Sequence, residues 1–217
     1  MLDNNAAMVD DDESAELAST PSLRSRRWLF SEMLIFATLS LLASFVLSWD
    51  AILIAKDPDV VLSCSINPLL DCVKVASTWQ ASVFGFPNAF LGLISEPVVM
   101  TIAVASLAGV TFPRWFMFTA NVVYLLGVIF AYWLLYQSTF VIGALCPWCL
   151  LVTVSTTFVF ASMTHWNILE NNLYLRPRQQ ERALAFVRGG LWTITLVVWL
   201  TAVALLEIVK WGPRLFA

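Results

Sequence analysis

The sequence predicts an all-α membrane protein with five transmembrane helices and a short amphipathic helix outside the lipid. Three observations carry that expectation. The chain is 59% hydrophobic and 12% charged, where soluble domains average about 45–50% apolar and about 25% charged. Five apolar runs, at approximately 28–49, 88–110, 115–137, 142–163 and 190–209, each have the length to cross a hydrocarbon layer of ~30 Å, which takes ~20 helical residues. Tryptophans sit near the ends of such runs, as Trp28 and Trp49 bracket the first.

Taken in order, residues 1–27 lack an apolar period and read as a disordered tail. This start does not read as a signal peptide, because Arg24, Arg26 and Arg27 come late and the apolar run behind them is too long. Residues 28–163 hold the first four spans, with a cysteine-bearing connection at 50–87. A loop at 164–189 and a fifth span with a short tail at 190–217 complete the chain. Within the cysteine connection, Cys72, Ala76, Trp79 and Val83 recur at near-helical spacing, which predicts an amphipathic helix lying on the membrane surface.

Basic residues mark cytoplasmic loops. With the N-terminus inside, eight of the twelve (Arg24, Arg26, Arg27, Arg114, Arg176, Arg178, Arg182 and Arg188) are cytoplasmic, and Lys56, Lys74, Lys210 and Arg214 lie outside. The reverse threading inverts this ratio. The expected localisation is therefore the plasma (inner) membrane, N-terminus in and C-terminus out. All four cysteines, Cys64, Cys72, Cys146 and Cys149, then share the extracytoplasmic side, where disulfides persist. The contacts implied are lipid and outer-face proteins; no nucleic-acid partner is expected.

Cys146 and Cys149 stand at i and i+3 on one face of a helix's first turn, where unpaired amide N–H groups favour a thiolate. Thiolates are the attacking species in disulfide exchange, and Pro147 suits an early helical position. A static staple gains little from so small a loop within one helix, and the uneven cysteine spacing argues against zinc, so no metal is expected. Asn67-Pro68 suggests a turn that brings Cys64 toward Cys72. Glu96, about eight residues into the second span, is an ionisable group at membrane depth and so a functional candidate, with Pro97 next to it. His165, at the inner end of the fourth span, is too far from the thiols to serve them.

Cys64-x7-Cys72, the segment ASTWQASVFGFPNAFLG that follows, and CPWC at the head of the fourth helix together resemble the vitamin K epoxide reductase family, in its bacterial disulfide-forming branch. The resemblance covers approximately 28–163 and implies a four-helix bundle around a quinone (menaquinone or ubiquinone), with the fifth helix outside. It also implies that Cys64/Cys72 take electrons from a partner and pass them to Cys146/Cys149, with Cys149 reducing the quinone. Asn88 matches the position that hydrogen-bonds a quinone carbonyl; it also stands where a helix N-cap would. Ser77, Thr78, Trp79, Trp148 and Glu96 complete the expected surroundings of the quinone. Cys72 is expected to meet the partner, leaving Cys64 to reach inward.

The chain departs from the family pattern at three places. Thr78, with Ser77 beside it, replaces a serine of some relatives. Thr153 replaces the tyrosine that the animal enzymes carry four residues after the C-x-x-C, which argues against vitamin K epoxide as substrate. The chain ends soon after the fifth span, so the partner is expected to be a separate DsbA-like thiol oxidase. The function expected is disulfide formation in exported proteins. The alternatives are reduction of vitamin K epoxide or quinone as a metabolic end, or a transporter or structural membrane protein with static disulfides.

Overall fold

The computed structural model describes residues 23–57, 60–62, 64–65 and 69–215, with side chains through Gly212. Seven α-helices are present among them: α1 (Leu23–Lys56), α2 (Cys72–Ala76), α3 (Ala89–Leu107), α4 (Arg114–Tyr136), α5 (Pro147–Leu169), α6 (Pro177–Arg188) and α7 (Leu191–Leu215). Five of them, α1, α3, α4, α5 and α7, are long and apolar enough to cross a membrane. The protein is an all-α membrane protein.

Several boundaries differ from the sequence reading. Helix α1 starts at Leu23 and runs to Lys56, so the last part of the expected tail and the first part of the expected loop are helical. The tail expectation for 1–22 and the Asn67-Pro68 turn lie outside the described residues. Helix α4 continues as a π-helix through Gln137–Ile142 and stops at Gly143, whose φ of 68° favours glycine. The fourth span therefore begins at Pro147 rather than at 142. The expected amphipathic helix is not continuous: α2 ends at Ala76, Thr78 is extended (φ −89°, ψ 155°), and a 3₁₀ turn follows at Trp79–Ser82.

Helix α1 packs along α3 and α5, and α5 along α4. Water exclusion does not drive contacts between helices already in lipid; close packing does. Small residues provide it here. A Cβ on Gly92 of α3 would collide with the Ser44 side chain of α1, so these two backbones meet because position 92 is glycine. At the end away from the cysteines the core is filled by Phe30, Met33, Met117, Met163 and Trp166, with Phe30 edge-on to Trp166 at 5.0 Å. Arginines tie the connections there: Arg26 donates to Val110 O at 2.8 Å, and Arg114 donates to Asn171 O while lying over the Tyr174 ring.

Several polar side chains within the bundle are satisfied by their own helix, as lipid favours. Ser48, Thr153, Thr156 and Thr157 each donate to the carbonyl four residues back. Helix α7 docks through its own polar contacts. Trp199 donates to the Tyr132 hydroxyl at 2.8 Å, and Glu207 accepts from Thr139 and from Trp211, each at 2.9 Å.

Candidate redox site

The segment before α2 is folded so as to deliver one sulfur to the head of α5. The Asp71 carboxylate caps α2, accepting from Lys74 N at 3.2 Å and from the Ser65 hydroxyl at 2.8 Å. Next to it the backbone pairs with the residues that precede α5. Leu145 N–H donates to Leu69 O at 2.8 Å and Asp71 N–H donates to Leu145 O at 3.1 Å, forming an isolated parallel bridge between Leu70 and Leu145. Cys72 and Cys146 follow this clip immediately and are carried to the same place. Lys74 Nζ adds a tie to Gly143 O at 3.4 Å.

Cys64 and Cys72 are joined by a disulfide, with Cα atoms 5.8 Å apart. Cys146 and Cys149 are free thiols. The Cys72 sulfur lies 3.4 Å from that of Cys146. All four cysteines therefore belong to one cluster, walled by Leu47, Leu53, Ile54, Leu62, Val73 and Trp148. The expectation that Cys64 reaches inward is reversed. The bridge positions the chain at Cys72, so Cys72 faces the C-x-x-C and Cys64 lies behind it.

Cys146 stands just before the first residue of α5. The Cys149 thiol hydrogen, and then the backbone N–H groups of Cys149 and Trp148, hold the Cys146 thiol below the ordinary thiol range. Burial and the charge of Asp50 oppose them. The helix-start argument from sequence thus acts on Cys146 through named donors.

Beneath the sulfurs lies a cavity of about 460 Å³, within the size range of small-molecule sites. Cys72, Cys146 and Cys149 line one part of it, and its walls include Leu47, Ile54, Leu91, Val123, Phe130, Leu134 and Val152. Polar groups are few. Glu96, buried at 3% exposure, accepts from Ser40 Oγ at 2.9 Å and from the Tyr124 hydroxyl at 3.0 and 3.2 Å. Glu96 and Tyr124 both line the cavity. An apolar slot with a few convergent hydrogen-bonding groups, open to Cys149, suits a flat, mostly apolar ring bearing carbonyls, and a quinone is such a molecule.

The other expected contacts divide. Asn88 and Thr78 line the cavity. Asn88 precedes α3 but its side chain makes no cap bond. It donates instead to Gln80 O at 2.6 Å and accepts from Val83 N at 3.2 Å, which ties the 3₁₀ turn to the head of α3. Its amide nitrogen carries a second hydrogen. Thr78 donates to Val75 O at 2.8 Å. Ser77, Trp79 and Trp148 are not among the cavity-lining residues. Ser77 and Trp79 are exposed, because the break at Thr78 turns that face outward, and Trp79 lies near Trp133, with ring centres 6.2 Å apart. Trp148 packs against the cysteine cluster.

Three participants escaped the sequence reading. Tyr124 and Ser40 are single polar residues in apolar spans, and nothing in their spacing points to Glu96. Asp50 was assigned to a loop because the first span was ended at Trp49; it is in fact helical, buried, and 3.8 Å from the Cys64 sulfur.

A membrane helix bundle that holds a disulfide against a free thiol, beside an apolar cavity, defines a membrane thiol–disulfide oxidoreductase. The model of the vitamin K epoxide reductase family matches residues 32–164, more than half of the chain, and the protein belongs to that family. Members of this family use quinone-type electron carriers. Among curated proteins no match is found.

Proposed function

We propose that the protein reoxidises a separate thioredoxin-fold, DsbA-like thiol oxidase on the outer face of the plasma (inner) membrane. The electrons go to a membrane quinone, and the result is disulfide formation in exported proteins. The observation that carries this reading is the 3.4 Å contact between Cys72 of the Cys64–Cys72 disulfide and the free Cys146. A structural staple has no need of a third sulfur at that distance, whereas exchange requires one.

The reaction runs as successive exchanges. A partner thiolate attacks Cys64, and Cys72 leaves as a thiolate. Cys72 attacks Cys146 of an oxidised Cys146–Cys149 pair and forms a Cys72–Cys146 disulfide, freeing Cys149 at the cavity wall. The quinone supplies the two-electron acceptor for this released sulfur. As Cys146–Cys149 is re-formed, the two thiols of the pair give up two electrons and two protons. Asn88, through its second amide hydrogen, and Glu96, through Tyr124, are the groups we assign to hold or move protons at the carbonyls. The partner's second thiolate attacks the mixed disulfide and the partner leaves as its own disulfide; the released Cys64 then closes on Cys72 and frees Cys146. Thr153 donates its hydroxyl to Cys149 O at 2.9 Å, so that hydrogen is already committed within the helix.

The loop charges support the orientation with the cysteines outside. Arg26 and Arg114 bind connections at the end of the bundle opposite the sulfurs.

The test is capture. A Cys72→Ala protein, expressed in its native membrane and acid-quenched, should retain an exported thioredoxin-fold protein on Cys64, identified by mass spectrometry; a Cys64→Ala protein should not. Recovery of no such adduct, together with normal oxidation of exported thiol proteins in Cys149→Ser cells, would overturn the reading.

A further inference from the structure

Asp50 is an acid in contact with a cysteine sulfur, and the sequence places it without apparent purpose at the end of an apolar run. Its side chain is 8% exposed. On α1 it is flanked by Leu47, Leu53 and Ile54, which pack into the cysteine cluster. The contact it makes among the described residues is Oδ2 to the Cys64 sulfur, at 3.8 Å. A buried carboxyl group is costly to keep without a cap or cation partner, and among the described residues Asp50 has neither. Among the described residues its polar contact is to a sulfur that, in the exchange proposed above, loses and regains a proton.

We infer that Asp50 is the proton acceptor and donor for Cys64, the group that lets this thiol close on Cys72 and release Cys146. The inference rests on the reading of Cys64 and Cys72 as an exchanging pair. The starting state has a Cys72–Cys146 disulfide and a protonated Cys64. Asp50 takes the proton as the Cys64 sulfur attacks Cys72; the Cys64–Cys72 bond forms, the Cys72–Cys146 bond breaks, and Cys146 leaves as a thiolate. No net oxidation occurs. Read backward, the carboxylic acid returns the proton to Cys64 as Cys146 attacks Cys72 across the observed 3.4 Å.

The charge of Asp50 and its basicity act in opposite directions, which makes the role separable from packing. A negative charge beside a thiol disfavours the thiolate, so charge alone predicts faster closure once it is removed. Proton transfer predicts slower closure. Among the described residues few titratable groups lie around Asp50, and Asp71, next to Cys72, is engaged by the Ser65 hydroxyl and Lys74 N. Cys64 and Cys72 come from the outer segment and Cys146 from the head of α5. Glu96 of α3 is engaged with Ser40, ten residues or about 15 Å down α1, and His165 lies near the far end of α5. On α1 itself Lys56 follows at the helix end.

The experiment uses the full chain carrying Cys149→Ser, in detergent, where the disulfide can move only among Cys64, Cys72 and Cys146. The reduced protein is pulsed with one equivalent of diamide. Relaxation to the Cys64–Cys72 form is followed by acid quench, alkylation and peptide mapping, without partner or quinone. Adding Asp50→Asn should slow relaxation at least about tenfold, toward the low end of general acid–base effects, and Asp50→Glu should recover most of the loss. Equal or faster relaxation in a folded Asp50→Asn protein overturns the assignment. Should that variant unfold, the Cys149→Ser parent decides. Closure should be nearly level between about pH 6 and 8 with a built-in base, and a rise of about tenfold per pH unit, the mark of free thiolate attack, refutes it. Should the disulfide never move among the three sulfurs, the exchange reading itself fails, independently of Asp50.

Discussion

Replacing Glu96 probes both the architecture of the cavity and its chemistry. Two buried hydroxyls, from Ser40 on α1 and Tyr124 on α4, converge on this one carboxyl group of α3. Glu96→Leu leaves both without an acceptor. An orphaned buried hydroxyl costs about 1–3 kcal/mol, so the variant should lose about 2–6 kcal/mol. Glu96→Gln keeps one acceptor oxygen and turns an NH₂ toward the other hydroxyl, which can rotate to accept; a loss of about 1 kcal/mol is expected. Unfolding of the purified protein in mixed detergent, read by tryptophan fluorescence, measures both.

The two variants then separate structure from proton handling. Cys72–Cys146 exchange lies outside the Glu96 network and should keep its rate in Glu96→Gln. Quinone reduction driven by dithiothreitol should fall at least about tenfold, as expected where a positioned acid or base is removed. The loss should change with pH, since glutamine cannot titrate. A Glu96→Gln protein that reduces quinone at the parental rate across the pH range refutes the relay. A Glu96→Leu protein of parental stability refutes the claim that Ser40 and Tyr124 are organised by this residue.

Further outcomes follow from the same geometry. Leu145→Pro removes the N–H that donates to Leu69 O; it should unfasten Cys72 from Cys146 and slow their exchange at least about tenfold, while the Cys64–Cys72 disulfide still forms on alkylation mapping. Cys149→Ala deletes the largest contributor to the lowered Cys146 thiol, so the pH profile of Cys146 attack should move upward, and an unmoved profile counts against that hydrogen bond. Gly92→Ala forces a methyl against Ser44 and should cost about 1–3 kcal/mol, the usual penalty of overpacking. After reduction, a membrane-impermeant maleimide should label Cys64 or Cys72 in intact cells; labelling only after permeabilisation reverses the orientation.

The five spans were legible because lipid enforces length and apolarity on each, and the pairing of Cys64 with Cys72 was legible from the family pattern. What the pattern could not show is which sulfur faces inward. That is decided by one backbone bridge, Leu70 to Leu145, between residues 75 positions apart and with no side-chain signature. The surface helix was read too long because the spacing of Cys72, Ala76 and Trp79 is helical even though the chain breaks at Thr78. Asn88 carries the tie across that break, a task a neighbouring cap position does not suggest. Glu96 was found because a lone acid in lipid is conspicuous, whereas Asp50 was hidden by a boundary drawn at the preceding tryptophan.

Cys72 is the sulfur held in common, and its choice of partner determines which end of the site is reactive. Bonded to Cys64, it leaves Cys146 free beside Cys149 and the cavity. Bonded to Cys146, it leaves Cys64 a free thiol beside Asp50, placed to attack Cys72 again and release Cys146. The two states differ by one bond at a contact already 3.4 Å long, so the spanning helices need not move. Only α2, a five-residue helix fastened by Asp71 and the Leu145 clip, has to adjust. A bundle too rigid to bring distant sulfurs together therefore still passes electrons inward, because a short, separately tethered segment carries the sulfur that both couples share.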